Sequence, residues 1–296
     1  MPVHMRGGET PGEGPILLWL ATPTAGRRRV GRAVLAEAAL ACRGWVEELP
    51  AALLLRGASP DRTRRLRDLL DRILGGALLV AAPDPPPDLP GLDAWLDALD
   101  PLLVARRRAG WRLAAPASGP DFLRLEIGRA AVAGLLGPLG ADGDLLAHAG
   151  WRLQGALLRV LADPARRRAL LGEAAPARLH LRLPEGTRGG APGLVATLGL
   201  AAAADPGELA ARRAALAACG TLLEIEGLDA AALALLDPAA LPADLLRLAW
   251  SPALAGVTLP RDVAARTVLA GAEEPAAQAW ARRQGIALVE SDTAPP

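Results

Sequence analysis

Glutamates are the residues of this chain best placed for chemistry. Glu126 closes one apolar run, Glu224 and Glu226 lie two apart in another, and Glu273-Glu274 follow Val268-Leu269-Ala270. Residues two apart on a strand share a face, so Glu224 and Glu226 point the same way. Carboxylates at the C-terminal ends of barrel strands are where that architecture holds hard cations. Glu273-Glu274 read instead as solvated carboxylates that favour the start of the helix after them. None of the three histidines, His4, His148 and His180, stands at metal-ligand spacing from a cysteine or an acid. His148 sits near a helix start and reads as exposed. His180 lies inside a strand-like run and reads first as a packed or surface residue, with the interior of a barrel as the alternative.

Other chemistries lack their residues. The four serines (Ser59, Ser118, Ser251, Ser291) stand outside any GxSxG turn, and there is no GxGxxG after a strand. All 33 Lys+Arg residues are arginine, so a GxxxxGK[ST] phosphate loop is ruled out. Asparagine and tyrosine are missing as well. The clusters Arg27–Arg29, Arg106–Arg108 and Arg166–Arg168 lack neighbouring aromatics and read as solvated helix ends rather than nucleic-acid patches. Cys42 and Cys219 cannot build a disulfide framework and read as small buried residues.

The elements that must position these residues follow from periodicity. With 296 residues and 51% apolar content there is chain for one large or two small domains, and the net charge of +1 offers no field for nucleic acid or an anionic membrane. Residues 1–15 read as a flexible terminus. Strand-like runs at 16–20, 51–55 and 77–81 alternate with helical spacing at 28–42 and from Ser59-Pro60 onward, where Leu66, Leu69, Leu70, Ile73 and Leu74 share a face. A proline-rich stretch, 83–90, and a helical one, 92–103, complete a small α/β domain over 16–105. Eight further strand candidates follow: 111–115, 122–127, 178–183, 194–200, 221–225, 245–250, 267–270 and 286–289. The first two are joined by a hairpin-type connection, and helical stretches separate several of the others. They predict a (β/α)8 TIM-type barrel over 106–292, with 293–296 as a tail. One link strains this: Pro184–Gly193 is shorter than a parallel crossover ordinarily needs, which leaves closure of the barrel open. The run from Ile16 to Ala21 is too short for a signal core, and the longest uncharged stretch, 189–204, falls below a membrane span; a cytoplasmic protein is expected.

The order Ala218-Cys219-Gly220-Thr221-Leu222-Leu223-Glu224-Ile225-Glu226-Gly227-Leu228, followed by Leu241-Pro242-Ala243-Asp244-Leu245-Leu246-Arg247-Leu248-Ala249-Trp250, resembles EAL domains. The tail Thr267–Pro275 resembles their final A-E-G-V-E segment, and the upstream runs fall in the order of the family's first strands. The resemblance covers residues 106–292 and implies an EAL-like barrel that acts on cyclic di-GMP through divalent metals. It also implies which positions carry the chemistry, and most are altered here. Glu126-Ile127-Gly128 stands where Glu-Ala-Leu belongs. Arg182 falls at the metal-binding asparagine, Thr197 at a second glutamate, and Glu226-Gly227 at the paired aspartates. Arg247 replaces the water-orienting lysine, Ala249 an aspartate, and Val289-Glu290 stands near the usual Gln-Gly. The 16–105 domain occupies the place of a GGDEF domain and lacks its motif, which makes it a degenerate GGDEF-like candidate.

The expectation is therefore a catalytically inactive EAL-like signalling or regulatory protein working through protein partners. Cyclic di-GMP is a candidate ligand, with Glu126, Arg182, Glu226 and Arg247 as the binding candidates. No catalytic residue, metal or cofactor is expected. Two alternatives stand beside it. One is a metal-dependent hydrolase using Glu126 and Glu226, with His180 converging on them and Mg2+ or Mn2+ as cofactor. The other is an Ala/Leu-rich structural interaction protein in which the short strands do not form.

Overall fold

The computed structural model describes residues 14–20, 24–49, 52–58, 60–74, 77–81, 89–113, 119–171, 178–183, 187 and 189–291. Residues 1–13, His4 among them, and the end from 292 onward lie outside that set. So do 82–88 of the proline-rich stretch and Ala117-Ser118. The chain divides into two compact units, one of residues 1–105 with 127–175, the other of 106–126 with 176–296.

In the first unit, strand β1 (Gly14–Leu20) leads to helix α1 (Ala25–Cys42), a hairpin of β2 (Trp45–Leu49) and β3 (Ala52–Ala58), helix α2 (Pro60–Leu74) and β4 (Ala77–Ala81). The sheet order is β2-β3-β1-β4, antiparallel throughout, which is the split βαββαβ arrangement. β2 escaped the sequence reading because Glu47 and Glu48 interrupt its apolar character. In the structure Glu47 accepts from Arg56 Nε at 3.2 Å on the neighbouring strand, and Glu48 pairs with Arg32 at 3.0 Å. The core joins Leu35 and Ala39 of α1, Leu53, Leu55 and Ala58 of β3, and Leu70 and Leu74 of α2. The apolar stripe of α2 is wider than its buried face, since Leu69 and Ile73 stay exposed. Cys42 and Cys219 are half-buried free thiols, not the buried residues expected. The unit also holds α3 (Leu92–Ala98) and the three helices that follow the second barrel strand in sequence: α4 (Arg129–Leu136), α5 (Gly143–Ala162) and α6 (Pro164–Leu171). Within α5, His148 bonds Asp93 at 2.9 Å and keeps about two-fifths of its side chain in solvent.

Eight strands close a barrel in the second unit: β5 (Ala105–Arg112), β6 (Phe122–Ile127), β7 (Arg178–Arg182), β8 (Leu194–Gly199), β9 (Leu222–Leu228), β10 (Leu245–Ala249), β11 (Thr267–Ala270) and β12 (Leu288–Ser291). Strands β6 to β12 run parallel, and β5 closes the ring antiparallel to β12. β5 begins well before the predicted 111–115, so Arg106–Arg108 are strand residues rather than a solvated helix end. Helices α7 (Pro206–Ala218), α8 (Ala230–Leu235), α9 (Arg261–Ala265) and α10 (Pro275–Gln284) lie between the later strands. Asp205 caps α7 by accepting from Glu208 N at 3.0 Å, Asp229 caps α8, and Gly285 ends α10 in the left-handed region at φ 79°. At the start of α10, Glu274 accepts from Trp250 Nε1 at 3.1 Å.

The short β7–β8 connection does not prevent closure. β7 and β8 pair in parallel from Leu179↔Leu194 to Arg182↔Thr197, and no helix appears among the described residues between them. The Thr221 hydroxyl pins the link by accepting from Ala191 N at 2.9 Å and donating to Ala191 O at 3.0 Å. Gly193 takes φ 81° where the chain turns into β8.

The N-terminal end of the barrel is filled by Phe122, Val268 and Leu288, all buried. Phe122 needs the missing side chain of Gly110, because a Cβ there would overlap its ring. Gly110→Ala is expected to destabilise the protein by about 1–3 kcal/mol through overpacking. Combining it with Phe122→Leu should recover part of that loss. Urea-denaturation midpoints of the two variants measure it.

Candidate functional site: the charged interior of the barrel

Period-two alternation turns every second strand residue inward. Above the apolar floor this places Arg124 of β6, His180 of β7, Thr197 of β8, Glu224 of β9 and Glu290 of β12 in one layer, all buried. Arg124 is its centre. Its Nε donates to Glu290 Oε2 and its Nη2 to Glu224 Oε1, both at 2.7 Å, while Nη1 donates to Thr197 Oγ1 at 3.2 Å. Each carboxylate has a second anchor. Glu224 Oε2 lies 2.9 Å from His180 Nδ1, and Glu290 accepts from Arg247 Nη2 at 2.6 Å and from Arg247 Nε at 3.1 Å.

His180 Nδ1 also lies 3.2 Å from Arg124 Nη2. A guanidinium only donates and a carboxylate only accepts, so the neutral ring carries its proton on Nδ1 and gives it to Glu224. Nε2 is then a buried lone pair without a hydrogen-bond partner. The ring stacks on Phe122 with centroids 4.1 Å apart, joining the polar layer to the apolar floor.

A further layer surrounds the C-terminal mouth. Arg108 of β5 lies 3.5 Å from Glu126 and 3.6 Å from Glu290. Arg247 of β10 reaches Glu226 at 3.4 Å, and Arg182 of β7 approaches the other oxygen of Glu226 at 3.7 Å. Arg182 is the solvent-facing member, with 63% of its side chain exposed, whereas Arg247 and Glu226 keep only 19% each. Among these interior residues, four guanidinium groups answer four carboxylates.

The electrostatics follow from that pairing. Burial opposes the charge of Glu224, but Arg124 and then His180 outweigh it and hold its pKa down at about 2. Glu290 is also lowered, burial again being overcome by Arg124 and Arg247. Burial pushes His180 below its ordinary value, with Glu224 pulling the other way. Arg124 and Arg247 are raised because their carboxylate partners overcome burial.

All four sequence candidates, Glu126, Arg182, Glu226 and Arg247, lie at the mouth, and Arg182–Glu226–Arg247 form one contact chain. Glu126 engages Arg108 instead, and His180 engages Glu224 rather than Glu126 or Glu226. Arg124 and Glu290, which organise the interior, were not among the candidates. The alternation was the signal: Arg124 is two residues before Glu126, and His180 two before Arg182.

No protein-family model matches the chain, and no curated protein does either. Among solved structures, the chain is similar to the FimX EAL domain from Pseudomonas aeruginosa bound to c-di-GMP, at 11% identity and TM-score 0.39 over 68% of this chain and 91% of that one. It is similar to Vibrio cholerae LapD S helix-GGDEF-EAL at 9% identity and TM-score 0.41, over 95% of this chain and 89% of that one. The Klebsiella pneumoniae BlrP1 manganese/cy-diGMP complex aligns at 10% identity and TM-score 0.36, over 94% of both chains. At these scores the fold rests on the strand pairing described above, not on the likeness.

The divalent cations that the EAL resemblance implies do not fit the residues present. Every interior carboxylate is already engaged by arginine, and no three His, Cys, Asp or Glu side chains among the described residues converge to hold a metal ion.

Two outcomes are expected. Arg124→Met strands two buried carboxylates and should lower unfolding free energy by about 3–5 kcal/mol, whereas Arg182→Ala removes an exposed cation and should change it by less than about 1 kcal/mol. Chemical denaturation at pH 7 compares them. The folded values of Glu224, Glu290 and His180 all lie below their ordinary ones, so acid removes stability. Loss should begin below pH 6.5, where an unfolded histidine takes up its proton, and steepen from 4.5 toward about 2 as the carboxylates follow. Urea midpoints between pH 7 and 4 should fall steadily, and His180→Gln should remove the part lost above pH 4.5.

Proposed function

We propose that this chain is an EAL-like signalling or regulatory protein that does not hydrolyse cyclic di-GMP and works through protein contacts, with its N-terminal unit as a degenerate GGDEF-like domain. The observation that carries this reading is the salt-bridged interior. Two-metal phosphodiester hydrolysis needs carboxylates free to hold both cations about 3.5–4 Å apart. Here Glu126, Glu224, Glu226 and Glu290 each face at least one guanidinium. Arg247 stands where the resemblance calls for a water-orienting lysine, and its planar fork is spent on Glu226 and Glu290.

The closed barrel, the hairpin entry through β5 and β6 and the element order from 106 to 292 support the EAL-like part. Within it, cyclic di-GMP is a candidate ligand at the mouth. Arg182 has the exposure to meet a phosphate, and Arg247 and Glu226 stand directly beneath it as further contacts. The hydrolase alternative through Glu126 and Glu226 would require both to be released from arginine, and His180 belongs to the deeper layer. The alternative without strands loses its premise, because the short apolar runs pair into the barrel.

Incubation of the full chain with cyclic di-GMP and Mn2+ or Mg2+ is expected to yield no linear dinucleotide by chromatography. Metal-dependent turnover abolished by Glu226→Gln would overturn the reading. In calorimetry, any heat of cyclic di-GMP binding should fall at least tenfold in Arg182→Ala.

A further inference from the structure

The Arg124 guanidinium lies among oxygen ligands from three separate strands. Glu290 Oε2 and Glu224 Oε1 each stand 2.7 Å from its nitrogens, and Thr197 Oγ1 stands at 3.2 Å. The two carboxylates do not depend on Arg124 for their place. Glu224 is also held by His180 at 2.9 Å and by the Thr197 hydroxyl at 3.2 Å, and Glu290 by both Arg247 contacts. The cradle is thus built around the guanidinium and braced from behind on each side. Two carboxylates and a hydroxyl, all oxygen, are a donor set for a hard cation. The apolar floor of Phe122, Val268 and Leu288 beneath it prevents collapse onto other polar groups.

We infer that this cradle is a cation-binding site whose resident cation is the chain's own guanidinium, so that removing the Arg124 side chain opens it to a free guanidinium ion or to a small divalent metal. The natural protein then carries its interior cation covalently, and the barrel is indifferent to metal supply. This deepens the reading of the barrel as a non-hydrolytic one. It concerns the buried layer and not the mouth, and its test involves no nucleotide, so the two stand or fall separately.

The physical reason is charge balance. With Arg124 removed, two braced carboxylates face each other in a dry interior, and a cation of matching size relieves that where solvent cannot. A ligand that binds only the folded state raises its melting temperature in proportion to its occupancy.

The experiment uses the full chain, with melting temperature followed by circular dichroism at pH 7 and constant ionic strength. Wild type, Arg124→Ala and Arg124→Ala/Glu224→Gln are each titrated with millimolar guanidinium chloride or MnCl2 against matched NaCl. The wild-type melting temperature should stay unmoved. Arg124→Ala should melt lower and recover by about 3 °C or more, saturably, with at least one of the two cations. The double variant should lose at least two-thirds of that recovery, because one carboxylate of the cradle is gone. If Arg124→Ala does not fold in NaCl alone, its refolding yield with and without each cation is the readout, with an increase of twofold or more expected. No response of Arg124→Ala to either cation, or an equal response in the double variant, overturns the inference. A wild type stabilised by Mn2+ to the same extent as Arg124→Ala overturns it as well.

Discussion

One guanidinium, that of Arg124, holds the interior of the barrel together. It reaches strands β8, β9 and β12 through Thr197, Glu224 and Glu290, while sitting on β6 itself. A buried ion pair contributes little net stability, because taking its charges out of water offsets most of their attraction. Its effect here is on geometry. It fixes which residues of four strands face one another, and with them the register of the barrel. The mouth depends on the same arrangement, since Glu290 is shared between Arg124 below and Arg247 above, and Arg247 in turn holds Glu226.

The apolar floor makes that interaction possible. Gly110 leaves room for Phe122, Phe122 supports the His180 ring, and His180 braces Glu224. A side chain added at Gly110 and a charge removed at Arg124 would therefore disturb the same column of contacts from opposite ends. The result is an interior whose carboxylates are neutralised by the chain itself. A composition with 33 cations, all arginine, suits this: the planar fork bridges two carboxylates at once, where a lysine would meet them as a single point.

Much of the fold was legible from short apolar runs. Phe122–Ile127 and Thr267–Ala270 form strands over the same residues as predicted, because each is a compact β-branched or aromatic run bounded by turn residues. Strands that carry charge were harder to read. β2 contains Glu47-Glu48, β5 contains Arg106–Arg108, and β12 contains Glu290; in each case the charge finds its partner on a neighbouring element far away in sequence. The same reason hid the centre of the site. Arg124 and Glu290 are 166 positions apart, and nothing local marks either as buried. The mouth residues Glu126, Arg182, Glu226 and Arg247 were accessible because they stand at strand ends, where barrels concentrate their chemistry.

The most direct test of a self-neutralised barrel is the uptake of Mn2+ by the unmodified chain, read from the free-ion signal in electron paramagnetic resonance at pH 7. The free Mn2+ signal should be the same with and without stoichiometric protein at high micromolar concentration. Stoichiometric loss of that signal, restored by Glu226→Gln or Glu224→Gln, would contradict the account.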